Sequence, residues 1–427
     1  GLAPGQFLAA ELHNDLAAAG RSDMIACTRL DLMIKQDGGK EDRAYAELEK
    51  YYQQCRTPRL ATMLGDRYQK MFRDSLAINY YNEAIEMDGN CPAAYFGRAH
   101  SWQGLRQYGL YFEDMGHFMK NEEIPARTKA EYLQTVMENP QFVRAFLPQV
   151  DSLFSCARET HVADSTINYV TGLYYYRTER PVEAASILMQ NMNFHPESFT
   201  VGFQYLLLLY YSKSWRHTAE VSTILLQRFP SQRDPLLVRA SAEREENNYK
   251  DAIRDYEAYI AYAPTDSATI MNGYPPLGDA YYYLGDWQNA FNCYKKALKV
   301  VPDSPLLLNN YAYFMALQGK NLKKAREMSR RCVEREPDNP TYLDTYAWIL
   351  HLMGQDLEAK AHFKHAMLYG GKEQAAVLDH YAEVLYSLGE TDLARIYWNQ
   401  AKSLDRDGSL KIDEKLKERK VGASGAK

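Results

Sequence analysis

The chain has 427 residues, of which 46% are hydrophobic and 25% charged, a composition that excludes global disorder and is ordinary for a soluble protein with a buried core. Its 50 basic and 55 acidic residues are intermixed and sum to −5, so no broad positive field is available for nucleic acid phosphates. The densest apolar run, "FQYLLLLYY" at 203–211, is about half the roughly 20 residues of a membrane-spanning helix.

Gly1 stands where an initiator methionine would, so the expectation is a trimmed chain whose leader or lipid-anchor signal has been removed. Residues 1–57 read as a helical region without a clean repeat. From residue 58 a helix, turn, helix, stop pattern recurs, first at 58–91 and more loosely from Pro92, together spanning 58–121. The segment 122–164, with "EIPARTKAEYLQTVMENPQFVRAFLPQVDSLFSCARETHV" at its heart, reads as an extra helical pair that interrupts the array. Three copies then fill 165–266, and four more fill 267–408 after an irregular connector. The tail, 409–427, reads as a charged capping helix whose Leu410, Ile412 and Leu416 cover the last copy, followed by disordered residues.

Small residues set the beat. Ala184, Thr218, Ala252, Ala290, Ala325, Ala359 and Ala394 are spaced by 34, 34, 38, 35, 34 and 35 residues, and Pro196, Pro230, Pro264, Pro302 and Pro337 keep the same register. Within "PLGDAYYYLGDWQNAFNCYKKALKVVPDS", Gly278, Ala290 and Ala297 occupy the points of closest helix approach, and Gly285 marks the turn. Thr218, Tyr111, Asn191 and Tyr259 replace small residues in other copies, and the turn glycine occurs in the last four alone (Gly285, Gly319, Gly354, Gly389). Pro275 and Pro276 fall inside a first helix that follows four additional residues, which predicts a late helix start near Pro275 and an extended connector over 267–276. That connector reads either as a tolerated insertion or as a hinge between 165–266 and 275–408.

Tyr274, Leu277-Gly278, Tyr281, Ala290, Tyr294, Ala297 and Pro302 follow the W-x2-L-G-x2-Y, A-x3-F, A, P signature, so the segment resembles a tetratricopeptide repeat (TPR). Leu64-Gly65, Tyr68, Ala77, Tyr81 and Ala84 carry the same resemblance at 58–91. It extends over about three quarters of the chain and implies an all-α fold, an α-α superhelix of about nine hairpins with extra helices at the N-terminus and between repeats. The run "LLNNYAYFMALQGKNLKKAREMSRRCVEREPDNPTYLDTYAWIL" is similar to repeats of uncharacterised, often exported bacterial TPR proteins, which favours a periplasmic or lipid-anchored protein over a cytoplasmic one.

The resemblance further implies a non-enzymatic scaffold that binds a peptide or partner protein on a concave face lined by the first helices, with no cofactor. Projection of one helical stripe places Tyr169, Tyr176, Phe203, Gln204, Tyr210, Tyr211, Asp279, Tyr282, Tyr283, Asn309, Asn310, Tyr313, Asp344, Trp348, His351, Asp379, His380, Glu383 and Tyr386 on that face. TPR clamps for acidic C-terminal peptides use Lys, Arg and Asn. Here Asn309 and Asn310 fit, but Asp279, Asp344, Asp379 and Glu383 stand beside them, so a basic or aromatic partner is expected rather than an acidic one. The 34 tyrosines suit recognition, or packing between helices. An exported glycan-binding repeat protein is the alternative, since tyrosine and tryptophan faces stack on sugars.

Catalysis has little to work with: no G-x-S-x-G, H-E-x-x-H, Walker or dinucleotide motif is present. His351, His362, His365 and His380 do not converge on a metal in this projection. Cys27, Cys55, Cys91, Cys156, Cys293 and Cys332 show no C-x-x-C pair and read as small buried apolar side chains.

Overall fold

The computed structural model describes residues 41–54, 56–405 and 408–422; Cys27, Cys55, the region before residue 41 and the chain end after residue 422 lie outside the described residues. The described residues hold 23 α-helices, one 3-10 helix and no strand. They fall into two compact units, Gly1–Leu208 and Leu209–Lys427.

The first unit contains α1 (Glu41–Gln54), α2 (Pro58–Lys70), α3 (Asp74–Met87), α4 (Pro92–Gly104), α5 (Tyr108–Lys120), α6 (Ala126–Met137), α7 (Pro140–Ala145), α8 (Leu147–Thr160), α9 (Ser165–Arg177) and α10 (Pro181–Phe194). The boundary with the second unit falls within α11 (Phe199–Tyr211). Beyond it come α12 (Trp215–Arg228), α13 (Asp234–Glu245), α14 (Tyr249–Tyr262), α15 (Ser267–Tyr283), α16 (Trp287–Val300), α17 (Pro305–Leu317), α18 (Leu322–Arg335), α19 (Pro340–Leu352), α20 (Asp356–Leu368), α21 (Ala375–Ser387), α22 (Thr391–Leu404) and α23 (Ile412–Gly422). Within each unit, consecutive helices pair as hairpins and hairpins stack on their neighbours.

The small residues of the signature are held to their size by contact. A Cβ on Gly65 would lie 2.6 Å from the ring of Tyr81, and one on Gly97 would lie 2.4 Å from the same ring. Tyr81 thus ties two hairpins together with no exposed surface, a burial worth about 2–3 kcal/mol, while its hydroxyl donates to Asp66 at 2.7 Å. Where larger residues replace the small ones, each finds a polar or ring contact. Thr218 Oγ1 donates to the Ser214 carbonyl at 3.0 Å, Asn191 Nδ2 to the Ser165 carbonyl at 3.1 Å, Tyr111 Oη lies 2.6 Å from Tyr132 Oη, and Tyr259 stacks under Arg233. Arg98 and Arg239 each brace three helices: Arg98 binds Asp114 on its own hairpin and Asn82 on the one before, as Arg239 binds Asp255 and Thr223.

Among the described residues the turns of the repeat hairpins use a left-handed residue, and the turn between α17 and α18 uses two, Gly319 and Asn321. Where the glycine is present (Gly285, Gly354, Gly389) its φ is 89°, 77° and 80°, and where it is absent Phe72, Arg106, Glu179, Lys213 and Asn247 adopt 56° to 63°. The next residue then closes a six-residue ring back onto the helix: Arg73 N donates to the Tyr68 carbonyl and Asp286 N to the Tyr281 carbonyl, each at 2.9 Å. The same left-handed turn therefore also forms in copies that lack the glycine, because the hydrogen bonds of the turn hold side-chain-bearing residues in a conformation that glycine adopts freely.

The segment expected as a helical pair holds three helices. Asn139 caps α7 by accepting from Phe142 N at 3.0 Å, and Pro140 opens that six-residue helix between α6 and α8. The inserted helices join repeats, with α8 packing on α5 and α6 on α9.

The two prolines also behave differently from the sequence expectation. Residues 267–276 are not an extended connector: α15 runs unbroken for 17 residues with Pro275 and Pro276 inside it, whereas the other regular first helices have 12 or 13. Four additional residues are just over one turn, so the insertion lengthens the helix instead of loosening the chain, and no extended segment remains to act as a hinge. Asp266 starts the extra turn, its carboxylate accepting from Thr269 N at 2.8 Å and Thr269 Oγ1 at 2.7 Å. Gly273 then lets the helix close on α14, where a Cβ would come within 2.5 Å of Ile260. Tertiary packing outweighs the local preference: the two pyrrolidine nitrogens leave the Met271 and Asn272 carbonyls without helical donors, yet the register is kept.

Replacing Pro275 and Pro276 together by alanine should raise stability by about 1–3 kcal/mol in denaturant melts, since two helical hydrogen bonds become available; a drop would show that ring packing dominates. Phe72→Gly should stabilise by about 0.5–1 kcal/mol, because Phe72 is 91% exposed and its left-handed φ is the main constraint.

Candidate functional site

In the second unit the first-helix face is organised by a rung that recurs from copy to copy. Asn309, Asp344 and Asp379 are the fifth residues of α17, α19 and α21, and all three are buried, with 3%, 7% and 2% exposure. Each carboxylate is met by a basic side chain 36 residues later, on α21 and α23: His380 Nδ1 lies 2.9 Å from Asp344 Oδ1, and Lys415 Nζ donates to Asp379 Oδ2 at 2.6 Å. The equal offsets show that α23 takes the place of a further first helix. Ile412 is buried and Leu410 and Leu416 half-buried on the same cluster as Trp398, whose Nε1 donates to Asp379 Oδ1 at 3.0 Å. Glu383 lies 3.7 Å from Lys415. At Asn309 the rung is open, because residue 345 is a threonine and Asn309 Oδ1 has no hydrogen-bond partner among the described residues.

Electrostatics follow from this burial. Desolvation works against a charge on His380, but the Asp344 carboxylate and the nearby Asp379 outweigh it and hold the imidazole pKa above its ordinary value, with Lys415 pulling the other way. Asp279 accepts from the Tyr294 hydroxyl and lies 3.6 Å from Arg244; burial raises its pKa above the usual carboxylate range against both partners. His351 Nδ1 is 2.6 Å from Asp356, which also accepts from Ser387. His362 meets the edge of Tyr346, and His365 Nε2 lies 2.8 Å from Asp338. Among the described residues no group of three or more His, Cys, Asp or Glu is placed to hold a metal ion. Cys156, Cys293 and Cys332 are buried free thiols, and burial pushes Cys293 up to about 12 and Cys332 up to about 11.

Above the rungs, rings touch in an unbroken series. Tyr249 stacks on Tyr283 at 5.5 Å, Tyr283 meets Tyr282 at 5.8 Å, and Tyr282 stacks on Phe314 at 4.0 Å. Tyr313, beside Phe314, reaches His380 at 6.1 Å, His380 stacks on Trp348 at 4.2 Å, and Trp348 meets His351 at 5.1 Å. Tyr313 is on α17 and His380 on α21, so side chains two copies apart close over α19.

These contacts correct the sequence reading of the acids. Asp279, Asp344, Asp379 and Glu383 do not offer free carboxylates to a basic partner, because the neighbouring helices already supply their counter-charges and donors. Desolvating them without such partners would cost several kcal/mol. Of the other projected residues, Asn310, Tyr313, Trp348, His351 and Tyr386 are half-buried in this network, and Tyr210 packs on Tyr211 and Trp215. Tyr169, Tyr176, Phe203 and Gln204 are half-buried and belong to the first unit, where Tyr169 joins the core and Phe203 stacks on Phe199.

What the second unit does expose is a mostly apolar edge: of the six first helices that end in it, α13 and α21 close on Glu245 and Ser387, and the other four close on apolar or aromatic residues. The last residues of α11, α15, α17 and α19 are Tyr211, Tyr283, Leu317 and Leu352, exposed by 64%, 59%, 41% and 38%. Projection named the two tyrosines and missed the two leucines and Phe314, although all four edge residues share one place in the repeat. It missed Lys415 as well, where the signal was the 36-residue offset already present in Asp344 and His380.

The His380–Asp344 pair sets a pH dependence with a definite sign. A raised folded pKa means that its contribution is full below about 6.5, the unfolded value, and is lost as pH rises through the folded pKa. The stability difference between the native chain and His380→Gln, from urea melts, should therefore be larger at pH 5.5 than at pH 8.5, and an equal difference at both would contradict the pairing.

The tetratricopeptide repeat family matches the chain at residues 58–91 and 278–319. Among curated proteins no sequence matches. A solved tetratricopeptide repeat protein from Parabacteroides merdae is 17% identical over 59% of this chain and 97% of its own, with a TM-score of 0.52. The Cut9–Hcn1 hetero-tetramer of APC/C aligns over 90% of this chain and 87% of its own at 14% identity, with a TM-score of 0.42, and a thermophilic TPR protein of Thermus thermophilus over 44% and 100% at 20%, with 0.37. The chain thus carries tetratricopeptide repeats at 58–91 and 278–319, and it shares its helical-hairpin fold with a solved tetratricopeptide repeat protein.

Proposed function

We propose that the protein is a non-enzymatic scaffold that binds a partner protein or peptide through the apolar edge of its second unit. The TPR fold supports the scaffold reading, since such repeats are generally non-catalytic binding modules. The observation that carries the choice of surface is the exposure of Tyr211, Tyr283, Leu317 and Leu352 at equivalent repeat positions, while the polar residues behind them are internally paired. A surface of this kind favours an apolar or aromatic segment, with tyrosine supplying contact area at low entropic cost. Export of the protein is part of this reading and rests on the sequence resemblance. No described helix is long and apolar enough to cross a membrane. Nothing in the structure favours the glycan alternative.

Selection of a displayed peptide library on the full chain tests the surface. Selected peptides should be rich in aromatic and aliphatic residues, and Tyr283→Ala with Leu352→Ala should weaken them about tenfold or more. Ile396→Ser, on the opposite helix layer and 52% exposed, should leave affinity unchanged. Peptides that ignore the edge variant but lose binding with Ile396→Ser would refute this assignment.

A further inference from the structure

The second helix α16 carries Lys295, Lys296 and Lys299, which on an isolated amphipathic helix would be a solvated face. Here that face turns onto an open cleft of about 540 Å³ between α14, α15 and α16. Tyr274, Leu277 and Tyr281 form one wall, at the three- and four-residue steps that bring side chains to the same side of α15, and Ile260 of α14 faces them. Leu277 and Ile260 are buried, so the cleft has an apolar floor. Lys296 is held in place: its Nζ sits 4.7 Å over the Tyr274 ring and donates to Tyr274 Oη at 3.3 Å. Among the described residues the three ammonium groups make no ion pair, and the one carboxylate lining the cleft, Glu257, accepts from Tyr281 Oη at 2.6 Å. Three positive charges thus share a cavity with one negative charge, beside the carboxamides of Asn289 and Asn292.

We propose that this cleft binds a small organic anion, a phosphate or carboxylate joined to a flat apolar group. Its charged end sits between Lys296 and Lys299, within reach of Asn292, and its apolar end lies over Leu277 and Ile260 beside the Tyr274 ring. Charge alone would hold inorganic phosphate equally well; the buried floor and the aromatic wall are what select an organic anion. The site is formed with second helices and shares no residue with the apolar edge, so the failure of one assignment leaves the other standing.

Isothermal titration of the full chain with phenyl phosphate, inorganic phosphate and benzyl alcohol tests the proposal. Phenyl phosphate should bind at least tenfold more tightly than either of the others. Lys296→Ala with Lys299→Ala should weaken it at least tenfold while leaving the thermal melt intact, as both side chains are exposed. Lys323→Ala, an exposed lysine on α18, should have no effect. The absence of binding, equal affinity for phosphate and phenyl phosphate, an unchanged lysine-pair variant, or an equal loss in Lys323→Ala would each overturn it.

Discussion

Every feature of this protein depends on the fact that a single helical hairpin of about 34 residues cannot bury its own apolar face. Stability must then come from the contact between one hairpin and the next, and residues at those contacts lose their freedom to vary in size or charge. Tyr81 lodged between Gly65 and Gly97 shows the apolar form of this constraint. Asp344 with His380 and Asp379 with Lys415 show the polar form, in which a buried carboxylate on one hairpin is tolerated because the next one brings its counter-charge. The last described helix obeys the same constraint: Lys415 meets Asp379, and Leu410, Ile412 and Leu416 pack on the apolar cluster of the hairpin before it.

The same constraint explains what could be read from the sequence. A Cβ on Gly278 would lie 3.1 Å from Tyr294, 3.2 Å from the Ala290 carbonyl and 3.3 Å from Cys293, a tight fit that favours a small residue, so the spacing of small residues, kept by the proline series, made the repeat register legible. The insertion before Gly278 was legible in length but not in form. Local rules assign Pro275 and Pro276 to a helix start, and they cannot weigh the cap at Asp266 or the close approach of Gly273 to Ile260, both of which favour a longer helix. Left-handed turns at Phe72 and Glu179 were illegible for a similar reason, since the hydrogen-bonded ring that stabilises them depends on backbone geometry and not on residue type.

The face of the first helices was legible as a set of positions, but not as a set of roles. Helical projection cannot separate a side chain that points toward solvent from one that reaches a neighbouring copy, and the acids illustrate this. Read along one helix, Asp344 and Asp379 are groove charges; read with a 36-residue offset, they are partners of His380 and Lys415. Exposed apolar surface is accordingly displaced from the centre of the stripe to its end, where Tyr211, Tyr283, Leu317 and Leu352 protrude. Exposed apolar surface and cohesion therefore use adjacent positions of the same helices, with polar pairing behind and apolar exposure in front.

The central claim is that buried carboxylates of one copy are held by cations of the next, and a double-mutant cycle on the terminal rung tests it most directly. Asp379→Asn, Lys415→Met and the double variant would be compared by denaturant unfolding, with the coupling taken as the departure from additivity. The account predicts a favourable coupling of about 1–3 kcal/mol, together with protease sensitivity of the C-terminal helix in both single variants. Additive effects, with the helix equally resistant in all four proteins, would contradict it.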